Sequence, residues 1–368
     1  MLIISTQCFP PVVGGIESLI FSLAREFNAN GEKVDVYADA IHTKKSTPFD
    51  EVQPFNIRRI GGLKPLRRIL KARQICLQSN KHKNGGVVLL ADTWKSLEHI
   101  NRSHFKRVSC LAHGAEFPQE PKDRKRKRIE KSLSKADVIL CNSSYTATRV
   151  GRFVEKSKIV TVTPGIQKPD ENPEITKHIS LLLEQHELVL VTVARLEKRK
   201  GHERVIQTLP SLISECPTLK YIIIGDGPCR AELMNEVKKL DLHNHVDFVG
   251  SLAGAEKNAY LINSDIFVMP GIKDKDNIEG FGIAYIEAAY YGVPGVANDV
   301  GGAAEAVLHN NTGLVCDAND IMQLKESLLR LIKEPKYRVA LGENARKLAT
   351  ANLWSSKINA YAKYILTP

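Results

Sequence analysis

Val191-Thr192-Val193-Ala194-Arg195-Leu196-Glu197-Lys198-Arg199-Lys200-Gly201 passes from an apolar run into a basic loop that ends on glycine. Its apolar, β-branched start reads as the end of a strand, and its closing glycine stands just before a helix start. Two cations five residues apart, Arg195 and Lys200, occupy the loop between them. A guanidinium, an ammonium and a helix N-terminus in one loop make a grip for a diphosphate. A solvated basic loop is the competing reading, and the rest of the chain decides between them.

Outward from this loop the chain alternates between strand and helix almost throughout. Toward the N-terminus the strand candidates are 2–6, 33–37, 87–91, 108–112, 137–141 and 159–163. Beyond them lie 188–193, 220–224, 246–249, 266–269, 293–297 and 313–316. After the first strand and its Gly14-Gly15 loop, Ile16, Leu19, Ile20, Leu23 and Phe27 recur at helical spacing until Gly31. Such alternation predicts α/β architecture, with largely parallel sheets covered by helices on both faces. At 368 residues the chain is too long for one ordinary core. The Pro-, Gly- and polar-rich stretch 164–173 is the natural linker. Two doubly wound domains, 1–168 and 169–350, are therefore expected. Open sheets bind ligands at the carboxyl ends of their strands, so the chemistry is expected in loops facing a cleft between the domains.

Composition removes several function classes. Hydrophobic residues make up 43% and charged residues 25%, and no apolar run approaches the roughly 20 residues that span a bilayer. The N-terminal MLIISTQCFPP has no basic segment and reads as a core strand rather than a signal peptide. Seven cysteines lie scattered without C-x-x-C spacing, which points to free thiols and a cytoplasmic location. The net charge of +11 calls for a polyanionic partner: nucleic acid, anionic lipid or a phosphorylated substrate. The excess concentrates in 64–73 and 122–135. No aromatic interleaving or nucleic-acid-binding module accompanies those runs, so nucleic acid is not expected.

Other loops add weaker signals. Glu279-Gly280-Phe281-Gly282-Ile283 opens a helix reaching about Tyr291, with Glu287 two turns in. Its glycines would let backbone N–H groups approach a ligand, and a carboxylate suits the vicinal hydroxyls of a ribose or hexose. An ordinary exposed glutamate is the plain alternative. Gly225-Asp226-Gly227-Pro228 follows a strand, but Arg230 stands where a dinucleotide fingerprint needs its third glycine. Asp274-Lys275-Asp276 is formally a D-x-D able to hold Mg²⁺ or Mn²⁺. Arg195 and Lys200 already supply that charge, so no metal is expected. His113 stands at a strand's carboxyl end, with Glu116 close by.

Together these pieces resemble the family 4 glycosyltransferases of the GT-B fold. The resemblance runs from Phe9-Pro10-Pro11 and Gly14-Gly15-Ile16-Glu17 through His113-Gly114-Ala115-Glu116, Ala136-Asp137 and Asn142-Ser143. It continues through Arg195-Leu196, Lys200-Gly201, Gly225-Asp226-Gly227-Pro228, Phe248-Val249-Gly250 and the E-x7-E pair Glu279 and Glu287. Gly292-Val293-Pro294 and Gly301-Gly302 with Glu305 complete it. The segment 279–302 is most similar to the phosphatidylinositol mannosyltransferase branch and its bacterial surface-polysaccharide relatives. The resemblance implies two Rossmann-like domains, Arg195 and Lys200 on the donor diphosphate, Glu287 on the ribose and Glu279 on the transferred sugar. Phe281, Gly282 and Ile283 would line the phosphate cradle with backbone N–H groups, Gly15 would face it, and His113 would lie near donor sugar and acceptor. It further implies retention of anomeric configuration, no protein nucleophile and no cofactor. GDP-mannose or a UDP-linked hexose or N-acetylhexosamine would be the donor. A glycan or lipid-linked acceptor of cell-envelope synthesis would receive the sugar.

Two features stand outside that scheme. Trp354, Ile358, Tyr361 and Ile365 recur at intervals of four, three and four, the pattern of a docking face. In the family's fold the final helix, here 351–368, returns to the N-terminal domain. Leu66, Ile69 and Leu70 lie among basic residues, which fits peripheral attachment to an anionic membrane surface on its inner face. Acceptor specificity is expected in N-terminal loops such as Asp92-Thr93-Trp94. A nucleotide-sugar epimerase or a phosphorylase on the same scaffold is the alternative function.

Overall fold

The structure, a computed structural model, describes every residue except 13, 41–45, 83–85, 275–276 and 368. It divides into two compact units, Met1–Gly165 with Trp354–Pro368, and Ile166–Leu353.

The first unit is built on a seven-stranded sheet: β1 (Leu2–Thr6), β2 (Val34–Asp39), β3 (Asn56–Ile60), β4 (Val88–Ala91), β5 (Arg107–Ala112), β6 (Val138–Cys141) and β7 (Ile159–Thr161). The strand order is β3-β2-β1-β4-β5-β6-β7 and every pairing is parallel. Helices cover both faces, so the central strands are continuous apolar runs rather than alternating ones. Leu2, Ile3 and Ile4 are fully buried. The strand that hydrophobic pattern does not reveal is β3, Asn56-Ile57-Arg58-Arg59-Ile60. It lies at the sheet edge, where charge is tolerated. Arg58 lies over the Tyr37 ring at 5.5 Å, and Arg59 forks onto Asp50 at 2.7 and 2.8 Å.

The last helix, Trp354–Ile365, completes this unit's core by burying Trp354, Ile358, Tyr361 and Ile365. Arg107 Nε donates to the Tyr364 carbonyl at 2.7 Å, and the Tyr361 hydroxyl donates to the Val162 carbonyl at 3.2 Å. A Cβ at Gly165 would lie 2.8 Å from the Trp354 ring.

The second unit carries six strands: β8 (Val189–Val193), β9 (Lys220–Ile224), β10 (Val246–Gly250), β11 (Ile266–Val268), β12 (Gly295–Asn298) and β13 (Gly313–Cys316). Their order is β10-β9-β8-β11-β12-β13, again all parallel. Each sheet grows outward from its first strand and then reverses, so the switch points lie between β1 and β4 and between β8 and β11. Loops leaving the carboxyl ends of those strands are where such a sheet offers a ligand site.

Candidate functional site

In the second unit, β8 ends at Val193 and the chain makes one 3-10 turn, Lys198–Lys200, before Gly201. Gly201 has φ +76, and a Cβ there would lie 2.0 Å from the Pro270 carbonyl oxygen beyond β11. Glycine is thus required both by conformation and by space. Ile272 N donates to the Arg199 carbonyl at 2.8 Å, and Asn298 Nδ2 donates to the Gly271 carbonyl at 2.6 Å. These bonds stitch the loop after β8 to those after β11 and β12. On the other side, Leu196 N donates to the Asp226 carbonyl at 3.1 Å, and Cys229 N to the Leu196 carbonyl at 3.0 Å. A Cβ at Gly225 would lie 1.9 Å from the Ala194 carbonyl oxygen. The Gly225–Pro228 segment is therefore a buttress for the basic loop.

Within this frame Lys200 Nζ bonds a Glu279 carboxylate oxygen, and Arg199 Nη1 reaches the same oxygen at 3.2 Å. The side chains of Lys200 and Glu279 keep 12% and 18% exposure. Burial pushes the Glu279 carboxyl up, but Lys200 and then Arg199 more than offset it and hold it below its ordinary range. Glu279 is held from behind as well, because Gly302 N donates to its carbonyl at 2.9 Å. Arg199 Nε also holds Glu197 at 2.9 Å, so the two cations are shared between two carboxylates at the switch point. Arg195 pairs instead with the other oxygen of Glu197, at 3.1 Å, and its side chain is 68% exposed. Sequence reading assigned Arg199 no role. Only the path of the turn decides which cation reaches Glu279.

Glu287 lies in the helix Ile283–Tyr290, where Lys257 Nζ from the helix Gly254–Ile262 holds its carboxylate at 2.7 Å. Gly282, φ +86, turns the chain into that helix, and the Tyr285 hydroxyl ties the helix to the Met269 carbonyl at the end of β11. Phe281 is buried in the core, so its side chain anchors the loop, and Ile283 is half-buried. His202, buried beside Lys200, has no hydrogen-bond partner on either ring nitrogen among the described residues. Burial first and Lys200 second lower its pKa to about 3, which keeps the ring neutral. Of the D-x-D, Lys275 and Asp276 lie outside the described residues. Among the described residues no three His, Cys, Asp or Glu side chains gather as a metal site.

In the first unit Asp92 follows β4, and its carboxylate accepts from Thr6 Oγ1 at 3.0 Å, Gln7 N at 2.7 Å and Ser96 Oγ at 2.5 Å. Its carbonyl accepts from His113 Nε2 at 2.8 Å. A carbonyl only accepts, so Nε2 carries a proton. His113 N donates to Glu116 Oε1 at 2.8 Å. Asp92 and Trp94 are buried, so these two side chains brace the loop instead of lining its surface. Gly15 opens the helix Gly15–Ala29, and a Cβ there would meet nothing within 4 Å.

Residues 13–168 match the family model described as Glycosyltransferase Family 4, and residues 174–348 that described as Glycosyl transferases group 1. The GDP-mannose-dependent alpha-(1-6)-phosphatidylinositol monomannoside mannosyltransferase of Mycolicibacterium smegmatis is 29% identical over 264 residues, 68% of this chain and 67% of that protein. The GDP-mannose-dependent monoacylated alpha-(1-6)-phosphatidylinositol monomannoside mannosyltransferase of Corynebacterium glutamicum is 26% identical over 97% of this chain and 94% of its own. Anabaena Alr3699/HepE, solved in complex with UDP, superimposes with a TM-score of 0.82 at 18% identity over 99% of both chains. That likeness shows the fold, which is GT-B. With one family model on each Rossmann-like domain, the chain belongs to the family 4, group 1 glycosyltransferases.

Proposed function

We propose that the protein transfers a hexose, with retention of configuration, from a nucleotide diphosphate sugar to a glycan or lipid-linked acceptor in cell-envelope polysaccharide or glycolipid synthesis. The observation that carries this reading is the placement of Lys200 and Arg199 on Glu279 at the switch point of the second sheet. A diphosphate brought there would take both cations as partners. Glu279, ionised and released from them, would then accept hydrogen bonds from the sugar hydroxyls. Glu287, held by Lys257, is assigned the ribose diol, and Arg195 a supporting charge at the donor.

In the transfer step the bond between the anomeric carbon and the diphosphate oxygen breaks. The acceptor hydroxyl forms the new bond on the same face, and the departing phosphate takes its proton. No protein nucleophile is needed. Negative charge grows on the diphosphate as the bond breaks, and fixed cations stabilise it more than they stabilise the ground state. Those cations take the part a divalent ion would otherwise play, so the reaction is proposed to be metal-independent and without a cofactor. The mannosyltransferase relatives favour GDP-mannose, and the UDP complex of Alr3699/HepE supports a UDP-sugar as the second candidate. Acceptor recognition is assigned to the N-terminal domain, with Gly15 and His113, and the reaction to the cytoplasmic face of a membrane.

The test is nucleoside diphosphate release from GDP-mannose and UDP-glucose, with and without acceptor and chelator, together with the anomeric configuration of the product by NMR. Acceptor-dependent release, unaffected by chelator and with retained configuration, is the expected result. An inverted product, or activity lost to chelator and restored by Mn²⁺, contradicts it. Interconversion of the donor sugar without acceptor would favour an epimerase.

A further inference from the structure

The two basic runs that lie outside the candidate site converge on one face of the first unit. The helix Lys64–Lys81 carries six cations and no carboxylate, and the helix Asp123–Leu133 six cations against two carboxylates. Glu98 ties them together, holding Arg68 at 2.8 Å and Arg128 at 2.6 Å. Between the helices lies buried Trp94, with the Lys95 ammonium and the Arg128 guanidinium each 5.7 Å from its ring. Lys95 stands in the field of Arg68, Lys64 and Lys125. Asp39 and Glu98 neutralise part of this charge by pairing with Arg67, Lys71, Arg68 and Arg128. Lys64, Arg73, Arg124, Lys125, Lys127 and Lys131 are exposed and make no ion pair with the described residues.

An apolar stripe runs beside these cations. Leu66, Ile69, Leu70 and Leu77 recur at helical spacing along the outer side of Lys64–Lys81, and Leu63 precedes them; all five are 46–75% exposed. They are five of the thirteen exposed large hydrophobic residues among those described. Scattered surface leucines need no explanation, but a row of them on one cationic helix does. An apolar outer face flanked by Lys and Arg is the pattern of a helix lying in a bilayer interface.

We propose that this face docks the protein on an anionic phospholipid bilayer. Leu66, Ile69, Leu70 and Leu77 enter the headgroup boundary, while Lys64, Arg73 and the exposed cations of 124–131 meet lipid phosphates. Charge complementarity selects this partner, because an anionic bilayer satisfies cations and leucines together. A nucleic acid would satisfy the cations and leave the leucines in water. The inference rests on the glycosyl-transfer reading only for its purpose, bringing the enzyme to a lipid-linked acceptor, and docking is measurable without donor or acceptor.

The experiment is flotation of the full chain with vesicles of phosphatidylglycerol and phosphatidylcholine, and with phosphatidylcholine alone. The protein is expected to float with the anionic vesicles only. The triple variant Leu66→Ser/Ile69→Ser/Leu70→Ser and the double variant Lys125→Glu/Lys127→Glu are each expected to weaken partitioning on the order of tenfold. Their Tm should not move, since these side chains are exposed. Failure of the unmodified protein to float, or a serine variant that floats undiminished, overturns the proposal. So does a duplex oligonucleotide that the protein prefers to vesicles and the serine variant binds equally well. Transfer to a water-soluble acceptor, measured in parallel, separates the two readings: its persistence without flotation removes docking alone.

Discussion

At Lys200 the ammonium is held by Glu279 before any ligand arrives; a diphosphate that takes it over from that carboxylate meets a cation already in place for the charge that grows as the bond breaks. Lys200→Ala is expected to lower kcat by about 10²–10³ with folding intact, measured by steady-state release of nucleoside diphosphate. The same substitution has a pH signature. In the native protein burial raises the Glu279 pKa and the two cations lower it further than burial raises it. That depressed pKa contributes stability present above the ordinary value of 4.5 and lost as pH falls through the folded value. Without Lys200 the balance tips toward burial, so the acid limb of residual activity should move to higher pH and the acid-side slope of Tm should flatten. An unmoved acid limb would detach Glu279 from the lysine. Lys200 and Glu279 stand out in sequence because each precedes a glycine in a loop that opens a helix. Arg199 does not, since spacing alone cannot distinguish it from Arg195, which points to Glu197 and solvent.

Among elements, the strand–loop–helix junction from β8 to the helix His202–Ile213 turns on Gly201. Gly201→Ala places a Cβ at φ +76 against the Pro270 carbonyl. It is expected to cost on the order of 1–3 kcal/mol by denaturant unfolding and to reduce kcat, because Lys200 is its neighbour. Wild-type stability in this variant would show the loop to be slack. The parallel strands read easily from sequence, as apolar runs between turn residues, with ends within a residue or two of those found for most of them. The exception, β3, hides behind Arg58 and Arg59, which an edge position makes affordable and local pattern cannot anticipate. Nor does pattern foresee that Glu98 gathers Arg68 and Arg128, each 30 residues away in sequence, onto one face.

For the molecule as a whole, the chain changes units at Gly165 and returns to the first after Leu353. The four-three-four spacing of Trp354, Ile358, Tyr361 and Ile365 marks the last helix as amphipathic. Periodicity does not say which unit receives it, and that came from family likeness alone. Trp354 is 2% exposed and packs against Tyr361 at 5.3 Å. Trp354→Ala is expected to destabilise the first unit by about 3–5 kcal/mol, seen as an earlier unfolding step in calorimetry, and an unchanged thermogram would contradict that packing. Donor binding, which we assign to the second unit, should survive the substitution. The Lys200–Arg199–Glu279 cluster is proposed as the donor diphosphate site. Isothermal titration of GDP-mannose and UDP-glucose into the wild type and Lys200→Ala decides it. One donor is expected to bind the wild type and to bind the variant at least about tenfold more weakly, a difference of about 1.4 kcal/mol. Equal affinity in the two proteins would contradict it.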